Sequence, residues 1–146
     1  MSSLLQFTDE IKSQLTNNVL INTVTLGDLD EIDLSKRTNF PLAHVTFDTG
    51  TIGSKTSDIN MSIIFADIVD ADSDSTFESD ELYVLNNMMA AATKLGQDLL
   101  RGDMYRQRYQ VDADIDIEFF NERFDDLLAG VVMNFTVTIE NNIELC

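Results

Sequence analysis

The sequence predicts an α+β fold, a mainly antiparallel sheet with two helices packed on one face. Three observations carry that expectation. Val111–Phe119 alternates apolar and polar residues without a break, and Val131–Ile139 does so with Val132 as its one exception, which is the pattern of half-buried strands. Residues 3–17 and 81–101 instead place apolar residues at three- and four-residue steps, the pattern of amphipathic helices. The order of elements is helix, short strand, two long strands, helix, two long strands, without the strict strand–helix alternation of a parallel sheet.

In the first helix, Leu4, Phe7, Ile11 and Leu15 form one stripe. Ser2 or Ser3 can cap it, and Asn17-Asn18 ends it. Val24-Thr25-Leu26 reads as a short strand broken by Gly27-Asp28, followed by the acidic, irregular stretch Asp28–Leu34. Pro41 opens a strand over 41–48, a position where its missing N–H costs little. There Ala43, Val45 and Phe47 alternate with Leu42, His44, Thr46 and Asp48. Thr49–Ser54 reads as a turn or loop. A further strand over 58–68 points Ile59, Met61, Ile63 and Phe65 inward. Its end, Ile63-Ile64-Phe65-Ala66, is apolar on both faces, as expected of a central strand or one covered by a neighbouring subunit.

Residues 70–81 read as an acidic loop before the second helix. That helix carries Leu82, Leu85, Met89, Ala92, Leu95 and Leu99 as its stripe, with Met88 beside it. Arg101 suits the negative end of its dipole, and Gly102 is a natural stop. The last two strands are expected over 111–120 and 131–140. The aromatic-rich connection 121–130 between them reads as too long for a tight hairpin, with a short helical turn inside it.

Composition narrows the function. The chain has 146 residues, the size of one domain, 1–146, with a core large enough to need no staples. Against 26 Asp and Glu stand 9 Lys and Arg, a formal charge of -17. Such a surface repels nucleic acid, whose binding rests on Lys and Arg displacing counterions. One His, one Cys and no Trp leave little for zinc or nucleophilic chemistry. The single Cys146 rules out an internal disulfide and fits a reducing compartment. No apolar run reaches a membrane span, and Met1–Leu5 does not read as a signal peptide. The acidity has two readings: solubility in a salt-adapted host, or a wall past which another polyanion slides.

Four groups of residues stand out. Asp70, Asp72, Asp74, the Thr76 carbonyl, Glu78 and Glu81 fall at positions 1, 3, 5, 7, 9 and 12 of an EF-hand-like calcium loop. Ser75 occupies the place of the turn glycine, and a strand precedes the loop instead of a helix, so a solvated acidic loop without metal is the expectation. Asp112, Asp114, Asp116 and Glu118 line one strand face as a wet or channel-lining surface. Paired catalytic carboxylates would need a pocket that an exposed strand lacks. Tyr105, Arg106, Arg108 and Tyr109 interleave aromatics with arginines, residues that anchor interfaces. Phe120, Arg123 and Phe124 extend that subunit-interface candidate: a monomer rarely leaves so much apolar surface on a connection, so the segment either folds back on the sheet or docks on a neighbour. His44 stands alone and reads as a packed or surface histidine, not a ligand.

Three stretches resemble a group of small virion proteins of tailed bacteriophages: Asn22–Asp30 (NTVTLGDLD), Phe40–Val45 (FPLAHV) and Phe119–Gly130 (FFNERFDDLLAG). The ending in Cys146 resembles them too, and the likeness runs from the first helix to the end of the chain. The element order is similar to that of tail terminator and tail completion proteins, small α+β subunits that form a hexameric ring at the head–tail junction. The resemblance implies a structural virion protein without catalytic activity or cofactor. It also implies partners: further copies of itself, other neck or tail proteins, and DNA that passes without specific binding. A calcium-dependent binding module built on 70–81 is the alternative, and a small acidic enzyme ranks last because no nucleophile or cofactor loop is visible.

Overall fold

A computed structural model describes residues 4–27, 41–68, 77–100, 110–111, 115–123 and 128–140. Helix α1 (Leu4–Thr16) is followed by β1 (Thr23–Leu26), β2 (Leu42–Ile52), β3 (Thr56–Ile68), helix α2 (Phe77–Leu100), β4 (Gln110–Val111), β5 (Asp116–Arg123) and β6 (Leu128–Glu140). The strands form one sheet in the order β1-β2-β3-β6, with β4 and β5 both pairing β6. β1 runs parallel to β2, and every other pair is antiparallel. The expected α+β class and the mainly antiparallel sheet are what the chain adopts.

Both helices lie on one face. Phe7, Ile11 and Leu15 of α1 and Val84, Met88, Ala91, Ala92, Leu95 and Leu99 of α2 share one core with Ala43, Val45, Met61, Ile63, Phe65 and the odd-numbered residues of β6 from Val131 to Ile139. Phe7 meets Phe135 edge-on, with centroids 6.4 Å apart, a favoured aromatic geometry. Asn18 ties the end of α1 to α2. Its amide nitrogen reaches the Ala91 carbonyl at 3.4 Å, while its side-chain oxygen accepts from the Leu20 N–H at 3.0 Å. Both polar ends of this buried side chain are thus satisfied.

β3 is central, flanked by β2 and β6, and its doubly apolar end, Ile63–Ala66, is buried. Ile63 and Phe65 join the main core, whereas Ile64 and Ala66 pack with Phe120 and Val132 on the opposite face. Gly130 makes the close approach of β6 to β3 possible, because a Cβ there would run into the Phe65 carbonyl oxygen.

Several boundaries differ from expectation. β2 continues through Thr49–Gly50–Thr51 to Ile52, where a turn or loop was expected. Pairing of Gly50, Thr51 and Ile52 with Ile59, Asp58 and Ser57 holds the extra length, after an irregularity between Phe47 and Gly50. The turn sits at Gly53, whose N–H bonds the Thr56 carbonyl at 2.8 Å. α2 starts at Phe77, so 77–81 is helix and not loop. Its buried stripe is Val84, Met88, Ala91, Leu95 and Leu99, and Leu82 is exposed. Two residues turn a helix by about 200°, so a stripe that includes Val84 points Leu82 away from the sheet. Arg101 and Gly102 lie outside the described residues.

The strand expected over 111–120 is two strands. Val111 pairs with Val137, so an unbroken ladder would bring residue 114 opposite Asn134; Asp116 stands there instead. The two extra residues leave the alternation in phase, so Ile117 still shares the helix face with Met133. The connection between β5 and β6 is also shorter than expected. Arg123 pairs with Leu128, a hairpin whose 124–127 lies outside the described residues. The helical turn expected within 121–130 is excluded from 121–123 and 128–130, which are strand.

Candidate functional site

The second face of the sheet carries no helix among the described residues, and its surface changes along the strands. At one end the first cross-strand row is apolar, Leu42–Ala66–Gly130–Phe120, and the next has Ile64–Val132 at its centre between His44 and the exposed Glu118. At the other end the rows are polar: Thr46–Ser62–Asn134–Asp116, then Asn60–Thr136 and Thr51–Asp58–Thr138.

Short side chains link the polar rows. Ser62 Oγ stands 2.7 Å from Asp48 Oδ2 and 2.6 Å from Asn134 Oδ1. One hydroxyl proton cannot serve both, so an Asn134 amide turned to donate to Ser62 Oγ satisfies the pair. Thr136 donates to Asn60 at 2.6 Å, Asn60 to Thr49 at 2.7 Å, and Thr138 to the Asp58 carboxylate at 2.7 Å. Asp48, Asn60, Asn134, Thr136 and Asp116 border a shallow depression of about 220 Å³. The charged residues described on this face are Asp48, Asp58, Asp116 and Glu118, all acidic and all exposed. Sequence reasoning singled out Asp116 and Glu118 but missed Asp48 and Asp58, which pairing register brings to the same surface. Their own alternation shows that each points outward, but not which carboxylates share a surface.

His44 is fully buried beside this face. Its Nε2 lies 2.9 Å from the Gly27 carbonyl, which can only accept, so Nε2 carries the proton. Nδ1 shares a hydrogen bond with the Thr25 hydroxyl at 2.6 Å. The ring is a clasp between β2 and the end of β1. That is the packed alternative of the sequence reading, and both nitrogens are occupied.

The remaining candidates divide. Phe120 is buried in the second apolar cluster, so its ring is spent within the chain and not displayed on a connection. Arg123 ends β5. Tyr105, Arg106, Arg108, Tyr109, Phe124, Asp112 and Asp114 lie outside the described residues, as do Asp70, Asp72, Asp74 and the Asp28–Asp33 segment. Glu78 and Glu81 lie in α2. Among the described residues no group of three His, Cys, Asp or Glu is placed to hold a metal. On the helix side, a cleft of about 570 Å³ runs between α2 and β5, bordered by Met89, Ala92, Gly96, Ile115, Ile117 and Met133.

No family model matches this chain, and no curated protein matches it. No helix among the described residues is long and apolar enough to cross a membrane.

Proposed function

We propose that this protein is a structural virion subunit of the phage neck or tail end, a tail terminator-like ring component without catalytic activity. The supporting observation is the open sheet face, whose described charges, Asp48, Asp58, Asp116 and Glu118, are all negative. Duplex DNA carries about one charge per 1.7 Å, and a wall of one negative sign lets it slide where a basic wall would hold it. Repulsion at physiological salt reaches only about 8 Å, so this face must border the bore directly. Hydrogen bonds among Ser62, Asn134, Asn60 and Thr136 keep the wall short and even, with few long side chains to catch a passing strand.

The test is the density of this protein in a reconstruction of an intact virion. The reading expects a homomeric ring, six copies by resemblance, on the head–tail axis with Asp116 and Glu118 toward the bore. A position off that axis, or a bore lined by the helices, ends it. The calcium-binding alternative rests on 70–81 alone. Calorimetry with Ca²⁺ decides it, and micromolar binding would favour it over the metal-free loop.

A further inference from the structure

The sheet ends in two edges that run in opposite directions. On one side β1 covers only Leu42–Val45 of β2. Gly27, with φ at 120°, turns the chain out of that line just after its N–H bonds the Val45 carbonyl. Beyond it, Phe47–Ile52 pairs with β3 on its inner side, and no described strand lies on its outer side. On the far side β5 pairs with β6, and again no described strand lies outside it. β2 is antiparallel to β3, β3 to β6, and β6 to β5, so β5 runs antiparallel to β2.

Both edges show apolar side chains on the helix-bearing side. Ile52 lies in the row of Ser57 and the core residue Ile139 and is 86% exposed; Phe47, in the row of Met61 and Phe135, is 41% exposed. On β5, Phe119 lies in the row of Val131 and is 59% exposed. On the open side both edges are polar, with Asp48 and Thr51 on β2 and Asp116 and Glu118 on β5.

We propose that Phe47–Ile52 of one copy takes β5 of a second copy as an added antiparallel strand. This deepens the ring reading and rests on it for its biological meaning. Two copies held in the same orientation present these edges antiparallel without inverting either one. Phe119 then meets Phe47 and Ile52 on the helix side, and polar meets polar on the open side. The contact is heterologous, so it repeats from copy to copy.

Geometry favours closure. β5 stands level with Leu42–Thr46 of its own β2, through the rows from Phe120 to Leu42 and from Asp116 to Thr46. To meet Phe47–Ile52 of the neighbour it must shift by about five or six residues, ~18 Å, across four strand spacings, ~19 Å. The strands then tilt by roughly 40–45° to the ring axis, within the range of closed sheets. Asp48, Asp116 and Glu118 repel across this junction, so assembly strengthens with salt.

Sedimentation of the full chain at 0.05 and 0.5 M NaCl tests this. The wild type is expected to assemble more strongly at high salt. Ile52→Glu and Phe119→Glu each weaken self-association at least tenfold, with circular dichroism confirming that both remain folded. Mixed one to one, they form a dimer that neither forms alone, because one supplies an intact β5 and the other an intact β2 edge. Phe47→Glu repeats the β2 arm should Ile52→Glu lose its fold, and Leu82→Glu, on the exposed side of α2, leaves assembly unchanged. A wild type monomeric at both salts, a variant that assembles normally, or a mixture without a dimer overturns the proposal. An axial ring in the virion joined through another surface would keep the head–tail reading while ending this one.

Discussion

The two faces of this sheet are made from alternate residues of the same strands, yet they are held by different physics. On the covered face Phe65, Met133 and Val137 are removed from water beneath two helices. Their stability comes from apolar burial, roughly 1.5–3 kcal/mol for each large side chain. On the open face Ser62, Asn134, Asn60 and Thr136 are held by hydrogen bonds across strands. Each such bond contributes only about 0.5–1.5 kcal/mol net, because water competes for the same groups. The comparison teaches that one face can hold the fold while the other is left open to composition, here acidic.

Substitutions on each face can break that comparison, and all are read by urea unfolding. The largest effect belongs to the covered face: Phe65→Ala, at a fully buried site, is expected to cost about 3–5 kcal/mol. A loss below about 1 kcal/mol would mean that the helices do not seal this face. Gly130→Ala is the next largest, about 3 kcal/mol, since the added methyl meets the Phe65 carbonyl and forces β3 and β6 apart. On the open face Ser62→Ala should cost about 1 kcal/mol, the net worth of one shared hydroxyl bond. A cost as large as that of Phe65→Ala would show the polar rows to be structural. Gly96→Ala should instead stabilise by about 0.5–1 kcal/mol, because the helix loses a glycine and the new methyl stands 3.7 Å from Ile115 Cδ1, an ordinary contact. The smallest effect is expected of the double substitution Asp116→Asn, Glu118→Gln, which should leave the urea midpoint unchanged within error. A clear shift would mean that these carboxylates serve the fold and not the surface.

Much of the architecture is legible in the sequence. Alternation in 131–139 named the buried side chains of β6 correctly, and it survived in β5 because two extra residues, an even number, separate it from β4. Misread elements have specific causes. Thr49–Ile52 has loop-like composition, but backbone pairing to β3 outweighs that preference. Val84 was passed over because several apolar stripes fit α2, and only the position of the sheet selects one. The hairpin joining β5 to β6 hid behind aromatics that read as a connection, although Phe120 fills a small cluster against Ala66. The candidate surface was half visible: Asp116 and Glu118 follow from local alternation, but Asp48 and Asp58 join them only through register.

Composition alone determined the net negative charge, and local periodicity determined the helices, the long strands and the inward residues of β3 and β6, because each of these depends on neighbours within a few positions of the chain. Only the tertiary structure decided the parallel pairing of β1, the clasp that His44 makes to Thr25 and Gly27, the need for glycine at 130 and the gathering of four carboxylates on one open face. Those features rest on contacts between residues far apart in sequence, where spacing along the chain carries no information about distance in space.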